Sequence, residues 1–307
     1  MIRPLNKLDI VLSIFNQEKL IERVLHGIFK NTTTPFNLII IFDGCTDRTE
    51  ARALRYIRRF RPALLKELII DHAANVFETR ANNIGFKKAK EEYLITLQDD
   101  MVINEFGWEK RLTFPLRKFN DVIAVSSRIA QDFKKLKDFS GQEIFDDKVG
   151  REFDNLPRNI FAVRDTINRG PIAFNVRHLS SMNYLNDKYA PSDLDDADLC
   201  MRAWKEKKLR CGAYWIDYIS RPEWGKTRSK DSVMQTGGTI RKNVKNIEND
   251  HREYIESGIK HSENIVIEES EIDYDKSKKP RVFYDKISYP IRINIKDIKN
   301  IVRKIFR

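Results

Sequence analysis

A chain of 307 residues that is 41% hydrophobic and 10% aromatic carries enough apolar side chain to bury one large α/β domain or two smaller ones, which excludes a disordered protein. Its formal net charge is +11, yet residues 276–307 alone hold eleven Lys or Arg against two Asp, a net of +9. The body is therefore close to neutral, which argues against a nucleic-acid-binding module and leaves no nucleic-acid partner expected.

Three cysteines, Cys45, Cys200 and Cys211, are odd in number and lack C-x-x-C spacing. Neither a disulfide framework nor a zinc site is expected, and a reducing cytosol fits. The opening residues MIRPLNKLDIVLSIF read as a first strand rather than a signal peptide, and no run reaches the roughly 18 apolar residues of a spanning helix. The expected location is cytoplasmic, with peripheral membrane contact depending on the tail.

In chain order, Leu8 to Ile14 (LDIVLSI) is a short β-branched run. From Gln17 to Lys30, Leu20, Ile21, Val24, Leu25 and Ile28 then recur on one helical face. Phe36 to Phe42 (FNLIIIF) is a continuous apolar run, as in parallel strands covered on both faces, and it stops at Asp43-Gly44. A helix over Thr49 to Phe60, a strand over Leu64 to Asp71, a helix over Ala81 to Glu92 and a strand over Tyr93 to Leu97 follow. This alternation predicts an α/β fold with a mostly parallel, doubly wound sheet flanked by helices. Beyond it, Val122 to Ser126 reads as a strand, residues 131–165 as a long polar insertion near the site, and Ile172 to Val176 as a strand. Ser192 to Lys205 reads as a helix whose first turn bears Asp193, Asp195, Asp196 and Asp198.

Ligands of doubly wound sheets bind beyond the carboxyl ends of the strands, where Asp43, Asp99 and Asp100 all fall. In YLITLQDDMVI two adjacent carboxylates close a buried run, which is costly unless a cation or open water compensates them. One Asp in a helix's first turn serves the helix dipole, and four exceed that need. Two acidic clusters about a hundred residues apart suit a division of labour, one ligating a divalent cation and the other accepting a proton. A merely solvated helix start is the plain alternative for Asp195-Asp196.

From about Asp9 to Tyr254 the chain resembles family 2 glycosyltransferases with the GT-A fold. The resemblance is carried by DIVLSIFNQEKLIERVLHGI, KNTTTPFNLIIIFDGCTD, NNIGFKKAKEEYLITLQDD, NRGPIAFN, DDADLCMRAWKEKKLRCG, and WGKTR with RKNVKNIENDHREYI. It implies a GT-A domain over residues 1–265, with a nucleotide-sugar-binding half (1–105) and an acceptor-binding half (106–265), followed by a basic extension (266–307). It also implies an inverting transfer of a sugar from a nucleotide-diphosphate donor, most commonly UDP, with Mg²⁺ or Mn²⁺ as cofactor. The acceptor would be a hydroxyl of a glycan or lipid-linked molecule, as in cell-surface polysaccharide or glycolipid synthesis.

Carried over by position, Asp43 matches the acid that contacts base or ribose, and Asn16 lies in the nucleotide-side loop of the first strand. Asn83, in NNIGFKKAK, and Asp99 are placed on the nucleotide-sugar side, and Asp100 matches the last acid of the D-x-D metal motif. Asp196 matches the acid that acts as base, and Arg169 and Gly170 match a loop facing donor sugar and acceptor. Lys226 and Arg228, beside Gly225, read either as closing over the diphosphate or as ordinary surface charge. Three departures stand out: Gln98 replaces the first acid of D-x-D, Phe42-Asp43 replaces a doubled acid, and Ser220, Arg221, Pro222 and Glu223 stand where a histidine is common. Glu223 is the substitute ligand there. His26, His72, His178 and His251 read as structural.

Two other classes compete with this reading. A nucleotidyltransferase would need a Gly-rich basic loop after the first strand, which is absent. A non-catalytic nucleotide-sugar or glycan-binding protein with a degenerate site fits Gln98 and the missing histidine. In the tail, Ile298, Ile301, Val302, Ile305 and Phe306 share one helical face, with Lys296, Lys299, Arg303, Lys304 and Arg307 around it. Residues 290–307 thus read either as an interfacial helix attracted to an anionic membrane surface or as a helix packed on the domain.

Overall fold

The strand and helix alternation of the first hundred residues is realised in the computed structural model, which describes residues 2–139, 143–225 and 238–273. Lys226, Arg228 and the tail at 290–307 lie outside the described residues. The elements are β1 (Leu8–Ile14), α1 (Ile21–Asn31), β2 (Phe36–Asp43), α2 (Thr49–Phe60), β3 (Leu65–Ala73), α3 (Phe77–Phe86) and β4 (Tyr93–Gln98). Then come β5 (Val102–Ile103), α4 (Trp108–Leu112), α5 (Phe114–Lys118), β6 (Val122–Ser126), β7 (Ile129–Phe133), β8 (Phe145–Gly150), β9 (Ile160–Arg164) and β10 (Thr166–Asn168). The described chain finishes with β11 (Ile172–Asn175), α6 (Val176–Ser181), α7 (Asp195–Lys207), β12 (Arg210–Ala213), β13 (Tyr218–Ile219), α8 (Gly238–Ser257) and β14 (Glu263–Val266).

The main sheet has nine strands in the order β14-β9-β12-β6-β11-β4-β1-β2-β3. Strands β1 to β4 are parallel, as the alternation predicts. The other half is mixed, because β11 runs antiparallel between β4 and β6, and β9 and β14 are antiparallel as well. Strand order reverses at β1, which has β2 on one side and β4 on the other. That reversal opens the crevice beyond the ends of β1, β2 and β4.

FNLIIIF is apolar throughout because both of its faces are covered. Leu38, Ile40 and Phe42 pack in the cluster that holds Val24, Leu25 and Ile28 of α1, while Ile39 and Ile41 join Phe86 of α3 and Leu199 of α7 on the other face. Each such buried side chain contributes about 1.5 to 3 kcal/mol. The α3 face approaches closely at Gly85, where an added Cβ would stand 2.4 Å from Val11 Cγ1.

Two local expectations are corrected. The helix expected over Ala81 to Glu92 starts a turn earlier, at Phe77, because the Asp43 carboxylate receives the backbone N–H groups of Val76 and Phe77 and sets its first turn. The stretch 131–165, expected as one long polar insertion, is built of strands: β7 and β8 join β10 in a three-stranded sheet, and β9 returns to the main sheet. Phe133 and Phe145 meet at 4.9 Å and, with Ile144, pack against Met201 and Ile247. The charged residues between these anchors hid the strands.

The helix α8 lies over α7. His251, at a kink in α8, is buried with Nε2 3.1 Å from Asp198 Oδ1, in keeping with a structural role. Cys200 and Cys211 are free and buried, and the Cys211 thiol faces the carbonyls of Arg164 and Asp165 at 3.5 and 3.7 Å. The segment after α8 is fastened to the body by β14 on β9 and by Glu269 on Arg111 and Glu271 on Lys118. Among the described residues no helix is long and apolar enough to cross a membrane.

Candidate functional site

The loops beyond β1, β2 and β4 hold one another in place. Phe15 N donates to Asp99 Oδ2 at 2.8 Å, and Gln17 Nε2 donates to Asp99 Oδ1 at 3.2 Å and to the Trp224 carbonyl at 2.9 Å. Asn16 adopts φ 49°, a left-handed conformation that Asn tolerates, and its Oδ1 accepts from Thr46 N at 2.8 Å. Asp43 is buried, with Oδ1 accepting from Val76 N at 2.6 Å and Oδ2 from Phe77 N at 2.8 Å. Its carboxylate therefore shapes the loop after β3 as well as lying at the crevice. Gly44 makes this packing feasible: it has φ +67°, and a Cβ there would stand 2.8 Å from Asn75 Cβ.

Asn83 is engaged away from these loops. Its Nδ2 donates to the Leu185 carbonyl at 2.8 Å and to Asp187 Oδ1 at 3.1 Å, and its Oδ1 accepts from Leu185 N at 3.1 Å. It ties α3 to the segment leading into α7.

Asp99 and Asp100 stand at the end of β4 as the sequence reading placed them. Burial pushes the Asp99 carboxyl up to about 8, with the charge of Asp100 adding to the rise and the Phe15 N–H opposing it. Such a pair gains from a cation. Among the described residues, however, no three His, Cys, Asp or Glu converge on a common point. Glu223 is exposed and sits 3.9 Å from Arg221. A donor set of one or two carboxylate oxygens fits Mg²⁺ or Mn²⁺ shared with water and a substrate's phosphates, and does not fit an all-protein cage.

The second acidic cluster is built at the start of α7. Asp193 and Leu194 both have positive φ, at 71° and 66°. Asn243 of α8 holds this loop, its Nδ2 donating to the carbonyls of Tyr189, Ser192 and Asp193, each at 2.9 Å. Asp195, Asp196 and Asp198 are all buried, which overturns the solvated-helix-start alternative. Asp195 accepts from the Thr79 hydroxyl at 2.7 Å and pairs with Arg169, and Asp198 takes Arg202 and His251.

Asp196 lines a small pocket whose other polar residues are Glu78, Asn82, Thr96, Gln98 and Arg169, with Phe86, Leu97, Ile172, Phe174 and Leu185 among the rest. Burial raises the Asp196 carboxyl to about 6, Arg169 opposes the rise, and Asp193 and Glu78 add to it. A carboxylate so tuned is matched to accepting a proton near neutral pH. Gly170 lets the Arg169 loop lie on Arg128, since a Cβ there would stand 2.7 Å from Arg128 Cβ.

The structure thus brings together Asp196, Arg169, Gly170 and the end of β4, and separately groups Asn16, Asp43 and Asp99 at the loop tips. Glu78, Thr79, Gln17 and Asn243 are site residues that sequence reasoning missed. Gln17 adjoins Asn16 and Gln98 adjoins Asp99, but no spacing marks Glu78 or Asn243.

The family model described as Glycosyl transferase family 2 matches residues 9–182. A teichoic acid poly(glycerol phosphate) polymerase of Staphylococcus epidermidis is 28% identical over 156 residues, covering 51% of this chain and 20% of that protein. This chain therefore matches only about a fifth of that relative's length. Among solved structures, S. aureus TarS residues 1–349 in complex with UDP aligns with a TM-score of 0.50 at 14% identity, covering 81% of this chain and 69% of that one. Glucosyl-3-phosphoglycerate synthase from Mycobacterium tuberculosis, in complex with Mg²⁺ and UDP, aligns at 0.51 and 13% identity, covering 85% and 87%.

Proposed function

The chain belongs to glycosyl transferase family 2, and from that premise we propose that it is an inverting enzyme moving a sugar, of the hexosyl type, from a UDP-sugar to a hydroxyl of a glycan or lipid-linked acceptor. The observation that carries this reading is Asp196: a buried carboxylate raised to about 6, lining a pocket together with the last residues of β4. In the proposed reaction the acceptor oxygen attacks the anomeric carbon, the bond from that carbon to the diphosphate breaks, and Asp196 takes the acceptor's proton. Attack opposite the leaving group inverts the configuration. A bound Mg²⁺ or Mn²⁺ would offset charge growing on the diphosphate, with Asp100 as its protein ligand. Asn16, Asp43 and Asp99 would shape the nucleotide-sugar side, with Arg169 and Gly170 facing the sugar and Lys226 and Arg228 the diphosphate.

The staphylococcal relative acts in teichoic acid synthesis by its description, and a cell-wall polymer is the acceptor class we favour. We assign residues 1–105 to the donor, 106–265 to the acceptor, and the basic extension to peripheral contact with an anionic membrane at the cytoplasmic face. A panel of nucleotide sugars in thermal-shift assays, with and without Mn²⁺, tests the donor class, because a ligand of the native state raises its stability by mass action. Gln98 favours one other reading, a binding protein without turnover. Donor hydrolysis that disappears in Asp196→Asn excludes it.

A further inference from the structure

Gln98 stands where the resemblance calls for an acid, and its amide is committed to a carboxylate from another element. Gln98 Nε2 donates to Glu78 Oε1 at 2.8 Å. The second oxygen of Glu78 lies 2.7 Å from Arg169 Nη1 in an ion pair. Across the same guanidinium, Nη2 bonds Asp195 Oδ2, the oxygen that also receives the Thr79 hydroxyl. Glu78 sits in the first turn of α3 and Asp195 in the first turn of α7. One guanidinium therefore joins the starts of two helices that lie more than a hundred residues apart in the chain.

The side chains of Arg169, Glu78 and Asp195 are 11%, 22% and 0% exposed, so water screens these pairs little. Glu78 and Arg169 also line the same pocket as Asp196.

We infer that Glu78 is the positioning residue of this site: it supplies from α3 the carboxylate that β4 lacks, and with Gln98 and Asp195 it holds Arg169 beside Asp196 without letting it fold onto that residue. The inference rests on the reading of Asp196 as the base. Among the described residues the charges facing Asp196 are Arg169 from the loop after β10, Glu78 from α3, and Asp193 from its own loop, with Asp195 preceding it in α7. Held between Glu78 and Asp195, the guanidinium is shared. Freed from Glu78, it would turn toward the two acids of α7, and an Asp196 paired to it would be a weaker base. Removing the Glu78 charge also removes a repulsion that favours protonated Asp196. Both changes act in the same direction.

The experiment compares kcat against pH for the full-length wild type, Glu78→Gln, Arg169→Gln, the double variant and Asp196→Asn. Glu78→Gln is isosteric, and it should move the acid limb of kcat down by about one pH unit and lower kcat at pH 7.5 by roughly tenfold, with the donor KM within about twofold. In the Arg169→Gln background only the direct repulsion is left to remove, so Glu78→Gln should cost clearly less kcat than it does alone. Additive losses, or an unshifted limb in Glu78→Gln, overturn the inference. If Asp196→Asn keeps the wild-type acid limb, the reading of Asp196 as base fails and takes this inference with it. If Asp196→Asn loses the limb while Glu78→Gln matches wild type, only the role of Glu78 fails.

Discussion

Lowering the pH tests the base directly, because its ionisation is set by its surroundings. With Asp196 raised to about 6, roughly ten-elevenths of it is ionised at pH 7 and about one-eleventh at pH 5, so the rate should fall about tenfold over that interval. An ordinary aspartate near 3.9 would lose less than about a tenth of its activity over the same range. The assay is the initial rate of nucleoside-diphosphate release with acceptor present, normalised to folded protein at each pH.

Arg169 is the largest influence opposing the rise, so Arg169→Gln should move the limb above 6. The same shift bears on stability. An acid whose pKa is raised on folding favours the native state fully below its unfolded value, and loses that contribution as pH rises through the folded one. Two units correspond to about 3 kcal/mol at neutral pH. Asp196→Asn should therefore lower transfer by roughly 100-fold or more while raising the melting point at pH 7 by a few degrees, since the amide oxygen can still accept from Ala197 N at 2.8 Å. An acid limb near 4, or an Asn variant that is both active and less stable, would refute the reasoning.

The same linkage applies at Asp99, raised to about 8: its stabilising contribution is lost as pH climbs from about 4 to about 8, and a divalent cation should offset that loss. The thermal shift from Mg²⁺ or Mn²⁺ should then grow between pH 5 and pH 8 and vanish in Asp100→Asn, and a pH-independent shift counts against the site. Glu109 is fully buried, and its Oε1 accepts from the N–H and hydroxyl groups of both Thr33 and Thr34 at 2.6 to 3.0 Å. Glu109→Ala strands those donors and should cost about 3 to 5 kcal/mol in urea unfolding, where a loss under about 1 would contradict it. Removal of residues 290–307 should spare donor hydrolysis and weaken binding to anionic vesicles at low salt, whereas loss of hydrolysis would place that segment against the domain.

What the sequence made legible follows the range over which its signals act. The apolar run of β2 and the alternation around it depend on neighbours in the chain, and they locate the crevice because strand ends carry Asn16, Asp43 and Asp99 with them. Periodicity also marked α7, but could not say which of its acids was buried, since that depends on Asn243 and His251 of α8 folding over it. The start of α3 was misplaced for a similar reason. It is set by a carboxylate from β2 capping backbone groups 33 and 34 residues away, and no propensity of residues 77 to 80 encodes that.

Read alone, Gln98 looks like a lost acid and so points toward a degenerate site. In the fold it is one end of a hydrogen bond to Glu78, whose charge pairs with Arg169 across 91 residues of chain. In the role we propose for Glu78, the amide that reads as a loss within a local motif serves a carboxylate from another element. Only the fold, which brings the first turn of α3 to the last residue of β4, makes that link visible.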